Sequence, residues 1–320
     1  MAAPRHGAPR MVVIHADEGW LRQIRDGKID FFTKLDTKFR EQGLPVHLAD
    51  VESRAARLLM AEDSLNIFVG ARPSYGPRVL HAAPAYIWGF WYLDEIGAHW
   101  NSSIRFSRFH AEDVDAEKAA YFFNGVTGYM LRENVSRSPQ EVRMHQPLQP
   151  ARAVIFCQDI ELQRDRCHYL TTEQMIRTVA GQNRDQLIYL KLHPNQSKAM
   201  RRNILAVCND YPAVRISEAS VHDLIEASDI VVTQNSAAGF EALMQKKTVV
   251  TCAKSDFWHA TLTAKSVTDL RDAINYGPEV MADFPFEKYF YWFLDRNCLE
   301  PQKDAFVARA WARIREKCLF

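Results

Sequence analysis

Short apolar runs alternate with helical patterns along most of this chain, and this alternation constrains the fold more than any other feature. Near the start, strand patterns occur at 11–15, 46–49 and 65–69, and a helical pattern follows each of the first two. Five further strand patterns occur after residue 150: 153–157, 187–192, 214–216, 230–233 and 248–252. Such alternation is typical of βαβ units. The sequence therefore predicts an α/β protein with parallel sheets.

A polar stretch with three prolines, residues 135–150, separates the two alternating regions. The chain of 320 residues is long enough for two domains, and we place their boundary in this stretch. We expect the two parallel sheets to face each other across a cleft. The predicted division is a disordered lead at 1–10, an N-terminal domain at 11–145, a C-terminal domain at 151–300 and a C-terminal helix at 301–320.

The overall charge argues against a nucleic-acid partner. Lys and Arg number 40 against 39 Asp and Glu, a net charge of +1, whereas binding through phosphates favours a basic excess. No apolar run approaches the length of a membrane-spanning helix, and residues 1–10 lack the apolar segment of a secretion signal. We therefore expect a cytoplasmic protein. The basic amphipathic stretch 305–320 favours a packed helix and leaves open a peripheral contact with the inner membrane.

Polar residues follow two of the predicted strands, where open parallel sheets bind their ligands. In the segment Lys191–Gln196, the strand runs directly into His193 and is ended by Pro194. A histidine at this place can donate a ring N–H to a phosphate oxygen, or it can bond to the backbone of its own loop. Gln158, which follows the strand pattern 153–157, is a weaker candidate for a ligand contact.

The segment 229–243 is the most specific in the chain, because a buried strand leads through a polar turn into a helix. A hydroxyl beside free N–H groups at a helix start is typical of an anion site, and small residues there let a ligand approach the backbone. An acidic residue one turn later accepts from ribose hydroxyls or only complements the helix dipole. These candidates are Asn235, Ser236, Ala237, Gly239 and Glu241.

Two carboxylates, Asp94 and Glu95, lie where the aromatic strand pattern 85–93 meets a glycine turn. One of them is a candidate general base or nucleophile, and the alternative is a pair of surface carboxylates in a loop. Because side chains alternate along a strand, only one should face the cleft, and we prefer Asp94. Asp17 and Glu18, after the first strand pattern, are the next candidates.

Residues from about 151 to 300 resemble the capsule polysaccharide biosynthesis family, cytosolic glycosyltransferases that build the Kdo linker of bacterial capsules. The resemblance lies in Gln158 and in the segments 191–194, 222–243 and 289–299. The N-terminal half matches only through its aromatic strand and the Asp-Glu-Ile-Gly of 94–97. The resemblance implies a GT-B-like architecture of two Rossmann-like domains. The nucleotide would then be held mostly by the C-terminal domain, and the N-terminal domain would lie on the acceptor side.

The motifs are also similar to those of bacterial sialyltransferases that use CMP-sugars. That similarity implies that His193 and Ser236 hold the donor phosphate, and that Glu241 lies on the ribose or cytosine side. It implies that Asp94 or Glu95 acts at the reacting centre. The chain departs from the pattern in two places: Ile96 separates the acidic pair from Gly97, and Lys246-Lys247 replaces a usual glycine.

The resemblance implies an enzyme that transfers an acidic sugar, with Kdo as the best candidate, from a CMP-sugar to a polysaccharide or glycolipid acceptor. We expect no metal or other cofactor, because such a donor carries one phosphate and the sequence has no suitably placed acidic cluster. Four alternatives stay open. They are a CDP-alcohol phosphotransferase of teichoic-acid type, a UDP-sugar transferase, a UDP-sugar epimerase, and a non-catalytic subunit of a capsule-assembly complex.

Overall fold

A computed structural model describes residues 9–60, 63–70, 74–163 and 165–318. Most of the predicted disordered lead, residues 1–8, lies outside these ranges. The last two residues of that lead are part of the folded chain, since Pro9 is buried and Arg10 N donates to Asp63 O at 2.8 Å.

The described residues form strands and helices that alternate as the sequence predicts. The strands are β1 Met11–Ala16, β2 Val46–Asp50, β3 Ser64–Val69, β4 Val79–Pro84, β5 Trp91–Asp94, β6 Ala151–Phe156, β7 Ile188–Lys191, β8 Val214–Ile216, β9 Ser228–Thr233, β10 Thr248–Thr251 and β11 Leu262–Thr263. The helices are α1 Glu18–Arg25, α2 Asp30–Glu41, α3 Arg54–Met60, α4 Ala116–Arg132, α5 Thr172–Gln182, α6 Lys198–Cys208, α7 Val221–Glu226, α8 Ala237–Ala242, α9 Val267–Val280, α10 Phe286–Tyr291 and α11 Phe306–Cys318.

The chain divides into two compact units, each built on its own sheet. The first unit is Met1–Ala85, Gly89–Ser107 and Phe293–Phe320, and the second is Tyr86–Trp88 and Arg108–Trp292. The predicted α/β class, with two parallel-sheet domains, is confirmed. Among the described residues, none of the helices combines the length and the apolar character needed to span a bilayer.

The first unit contains a five-stranded sheet in the order β2-β1-β3-β4-β5. Its first four strands are parallel, and β5 pairs antiparallel with β4. The single strand predicted at 85–93 is wrong, because the chain turns there between β4 and β5. Gly89, with φ of +88°, lies in this turn. The turn resembles a strand in sequence because most of its side chains are buried apolar groups.

The second unit contains a six-stranded sheet in the order β11-β10-β9-β6-β7-β8, and all of its strand pairs are parallel. The predicted strands of the C-terminal half correspond to β6, β7, β8, β9 and β10. In this order β6 lies between β7 and β9. The carboxyl ends of these three strands therefore form one continuous edge of the sheet.

The boundary between the units differs from the predicted one. Helix α4 packs against α10 and belongs to the second unit, so this unit begins well before residue 151. Helix α11 packs against α2 and β5 in the first unit. Local sequence patterns do not reveal such long-range contacts. The packed helix favoured for 305–320 is confirmed, because the apolar face of α11 lies in the core of the first unit.

Phe306 provides a test of this assignment, because its side chain is buried and its ring lies 5.4 Å from that of Phe31 in α2. We expect Phe306→Ala to lower the free energy of unfolding of the first unit by about 3–5 kcal/mol, the usual cost of a phenylalanine-sized cavity. Denaturant unfolding measures the loss. A change below about 1 kcal/mol would show that α11 is not part of this core.

Candidate functional site

The loops after β6, β7 and β9 are joined by hydrogen bonds through Gln158. Its side-chain Oε1 accepts from Asn235 N at 2.7 Å, and its Nε2 donates to Asn235 Oδ1 at 3.1 Å. Its backbone oxygen accepts from Gln196 Nε2 at 3.2 Å. Since neighbouring strands lie about 4.8 Å apart, β7 and β9 are separated by roughly 10 Å. The three loops thus form one polar cluster at the sheet edge.

His193 lies in a hydrogen-bonded turn directly after β7. Asn195 N donates to His193 Nδ1 at 3.2 Å, so a neutral ring carries its proton on Nε2. His193 is partly exposed, and its Nε2 makes no hydrogen bond with any residue that the structure describes. Both interpretations of the sequence therefore apply to one ring: Nδ1 bonds to the local backbone, and Nε2 remains able to donate to an anion.

Ser236 caps the helix that follows β9. Its Oγ accepts from Ala238 N at 3.3 Å, and the residue has extended backbone angles. The hydroxyl proton is not used in this bond and is able to donate to a ligand. Ser236 and its neighbour Ala237 are both partly exposed.

Gly239 is required for packing, which corrects the prediction that it lets a ligand approach. A Cβ atom there would lie 2.9 Å from Thr233 Cγ2 and 3.5 Å from Val249 Cγ1. The residue is buried, so the space that its missing side chain leaves is filled by the sheet. Gly239 therefore allows α8 to lie close against β9 and β10.

Glu241 is directed into the interior of the second unit, and this disagrees with its predicted contact with ribose. Only 1% of the residue is exposed, and its Oε1 accepts from Ser136 Oγ at 2.8 Å and from Arg137 N at 2.9 Å. Burial raises the pKa of this carboxyl to about 7, although the two hydrogen bonds act in the opposite direction. Its Oε2 is buried and has no partner among the described residues.

We name residues 134–144 the strap. This segment donates the hydrogen bonds that Glu241 accepts, and it is also hydrogen-bonded to residues of α7. Most of the strap lies in the polar stretch where the sequence predicts the domain boundary, but its polar groups are bonded to the second unit. The bonds are His222 Nε2 to Val135 O at 2.8 Å, Val221 N to Gln140 Oε1 at 2.7 Å, Arg143 Nε to Asp223 Oδ1 at 2.8 Å and Met144 N to Asp223 Oδ2 at 2.9 Å. The strap is therefore a fixed part of this unit.

Lys191 joins two loops beside the cluster. Its Nζ donates to Glu218 O at 3.0 Å and to Ala219 O at 2.8 Å. Burial lowers the pKa of this partly buried ammonium group. Two of the three N–H donors of this group are used within the protein. Lys191 therefore mainly holds the loop before α7 in place.

Asp94 and Glu95 both have structural partners in the first unit. The Asp94 carboxylate is buried and accepts from four donor groups: Ile96 N, Gly97 N, Ser103 N and Ser103 Oγ. These donors occupy the lone pairs that a general base would need, so the geometry disfavours the predicted catalytic role. Glu95 forms an ion pair with Lys317 of α11.

A pocket of about 240 Å³ lies at the carboxyl ends of β1, β2 and β3 in the first unit. Asp17, Asp50 and Glu52 line it together with Phe68. The exposed Asp17 caps α1 by accepting from Trp20 N at 3.0 Å through Oδ1. Asp17, a next candidate from the sequence, thus lines a pocket of the first unit.

Three polar residues of these two regions are absent from the predicted set, namely Asp50, Glu52 and Gln196. Asp50 is the last residue of β2, and Glu52 and Gln196 lie in the loops that follow β2 and β7. A position at or just after a strand end is the signal that identifies them. In the described part of the chain, no three acidic, histidine or cysteine residues are grouped closely enough to hold a metal ion. The six cysteines are buried free thiols.

The family model described as "Capsule polysaccharide biosynthesis protein" matches residues 158–275. The predicted family resemblance is confirmed. The matched range contains the loops after β7 and β9 and begins at Gln158. The resemblance to this family thus covers the polar cluster of the second unit.

Solved structures of similar fold include two Kdo transferases of KpsC from Thermosulfurimonas dismutans. The beta Kdo 2,7 transferase has a TM-score of 0.50 and 16% identity over 81% of this chain and 88% of that chain. The beta Kdo 2,4 transferase has a TM-score of 0.49 and 16% identity over 84% of this chain and 91% of that chain. At 16% identity, the likeness to the beta Kdo 2,7 transferase shows the fold alone.

A UDP-GlcNAc 2-epimerase from Methanocaldococcus jannaschii, in complex with UDP-GlcNAc and UDP, has a TM-score of 0.39 and 11% identity. It covers 96% of this chain and 99% of that chain. No curated protein sequence matches the chain significantly.

Asp94→Asn should destabilise the first unit, because an amide nitrogen would face N–H donors that now bind a carboxylate. We expect the free energy of unfolding to fall by about 2 kcal/mol or more. Glu95→Gln is the control, since a partly exposed ion pair contributes up to about 1 kcal/mol. Denaturant unfolding of both variants decides the matter. Wild-type stability of Asp94→Asn with lost activity would restore the catalytic role.

Glu241→Gln should change how stability depends on pH. The pKa of the carboxyl rises from 4.5 to about 7 on folding, so the native state retains a proton that the unfolded chain releases. Stability is therefore lost as pH rises between these values, by about 3 kcal/mol. The free energy of unfolding of Glu241→Gln should not fall over this pH range. That of the exposed control Glu279→Gln should fall as in the wild type. Parallel wild-type and Glu241→Gln profiles from pH 4.5 to 8 would contradict the assignment.

Proposed function

We propose that the chain is a glycosyltransferase that transfers an acidic sugar, with Kdo as the best candidate, from a CMP-activated donor to a polysaccharide or glycolipid acceptor. The observation that carries the proposal is the polar cluster of the second unit, where Gln158 links the loop of His193 to the loop of Ser236. The family match over these loops supports a place in capsule polysaccharide biosynthesis. The similar fold of a structure named a Kdo transferase agrees with this choice.

The donor phosphate is proposed to bind between His193 and Ser236. A CMP-sugar carries one phosphate with a single negative charge, and two good donors are enough to hold it. His193 Nε2–H and the Ser236 hydroxyl are such donors, and neither is used by the described residues. Asn235 is bonded through both its amide oxygen and its backbone N–H to Gln158, so it orients the loop of Ser236.

Asp17 is proposed as the general base that accepts the proton of an acceptor hydroxyl. Its Oδ1 caps α1, and its other oxygen accepts no hydrogen bond from the described residues. The carboxylates around the adjoining pocket are suited to the hydroxyl groups of a saccharide, which donate hydrogen bonds. Asp17 replaces Asp94 in this role, because the Asp94 carboxylate is already bound by four donors.

Nucleotide titration tests the donor. We expect CMP to bind more tightly than UMP, UDP or GDP in isothermal titration without added metal. His193→Ala and Ser236→Ala should each weaken CMP binding about tenfold to a hundredfold, since each removes a charge-assisted hydrogen bond. The exposed His145→Ala and Ser138→Ala are matched controls and should bind CMP like the wild type. UDP binding that is tighter and requires magnesium or manganese would contradict the proposal.

Product analysis separates the enzyme from the alternatives. Incubation with CMP-Kdo should release CMP and free sugar slowly without acceptor, and faster with a saccharide or glycolipid acceptor. Release of CMP together with a phospho-alcohol from a CDP-alcohol would instead indicate a phosphotransferase. No turnover of either donor by a chain that still binds CMP would favour a non-catalytic subunit.

A further inference from the structure

The turn that contains His193 is closed by one residue, Gln196. His193 N donates to Gln196 Oε1 at 3.2 Å, and Gln196 N donates to His193 O at 3.0 Å. Pro194 occupies the second position of this turn, where its ring restricts φ to the value that such turns need. The backbone of His193 is therefore held at both its N–H and its carbonyl by the same residue.

Gln196 also fixes the turn to the rest of the polar cluster. Its Nε2 donates to Gln158 O at 3.2 Å, and the Gln158 side chain binds Asn235, the residue before Ser236. A continuous chain of hydrogen bonds thus runs from His193 through Gln196 and Gln158 to the loop of Ser236. Both polar atoms of the Gln196 side chain are used in this chain.

We propose that Gln196 is a positioning residue, which sets where His193 Nε2 lies relative to the Ser236 hydroxyl. This inference rests on the proposed function, in which these two groups hold the donor phosphate. Gln196 acts through His193, because its own amide oxygen and nitrogen are already bonded within the protein. Its effect should therefore appear only for ligands that carry a phosphate.

Isothermal titration with CMP and with cytidine separates positioning from a general structural role. Gln196→Ala should weaken CMP binding about three- to tenfold, because it removes the two neutral hydrogen bonds that hold the turn and leaves the His193 ring in place. It should leave cytidine binding unchanged. Gln245→Ala is the matched control. It removes a partly buried glutamine of the same unit that donates to His222 O at 3.0 Å. This control should bind both ligands like the wild type.

A double-mutant cycle tests whether Gln196 acts through His193. In the His193→Ala background, Gln196→Ala should weaken CMP binding by less than about twofold, since the positioned group is already absent. An equal loss in both backgrounds would overturn the proposal, and so would a parallel loss of cytidine binding. Unchanged CMP affinity of Gln196→Ala would overturn it as well, while leaving the proposed donor intact.

If the proposed function itself is wrong, the wild type rather than the Gln196 variant will give the contradicting result. If the wild type binds UMP more tightly than CMP, the donor assignment is wrong, and the same cycle with UMP and uridine tests Gln196. If the wild type binds no nucleoside monophosphate, the donor site and the positioning role are both wrong.

Discussion

The hydrogen bonds of Gln158 across two neighbouring loops are the interactions on which the candidate site depends. In a parallel sheet, strand order alone brings the ends of β7, β6 and β9 to one edge. Strand order does not fix the positions of the loops beyond those ends. Hydrogen bonds from the Gln158 side-chain amide and backbone carbonyl hold these loops together. The loops of His193 and Ser236 are thereby linked to each other through Gln158, although both loops are polar and partly exposed.

Asp94 at the end of β5 and Glu241 in α8 show that a sequence motif does not by itself make a binding site. The sequence predicts a catalytic role for Asp94 and a ribose contact for Glu241. Each carboxylate is instead buried and accepts hydrogen bonds from backbone N–H groups and a serine hydroxyl. The donors belong to nearby loops for Asp94 and to the strap for Glu241. Burial and hydrogen bonding of this kind stabilise a loop and leave little capacity for a substrate. Asp17 differs, because it is exposed and lines a pocket.

The parallel sheet of the second unit could be predicted from the sequence, because its strands are short, apolar and separated by helical patterns. The turn of residues 85–90 could not, since buried loop residues and buried strand residues have the same composition. The place of α4 and α11 could not be predicted either, because it depends on contacts far along the chain. For the site, the alternation of strands and helices predicts one parallel sheet, and the loops of Gln158, His193 and Ser236 lie at one edge of that sheet. The direction of Glu241 is decided by the strap, which no local pattern reveals.

A crystal structure with CMP tests the central claim most directly, because it locates the phosphate. The account predicts one phosphate oxygen within about 3.2 Å of His193 Nε2 and another within the same distance of Ser236 Oγ, with Gln158 bonded as it is now. Glu241 should stay bonded to the strap. A phosphate bound elsewhere, or a ribose bound to Glu241 with the strap displaced, would contradict it.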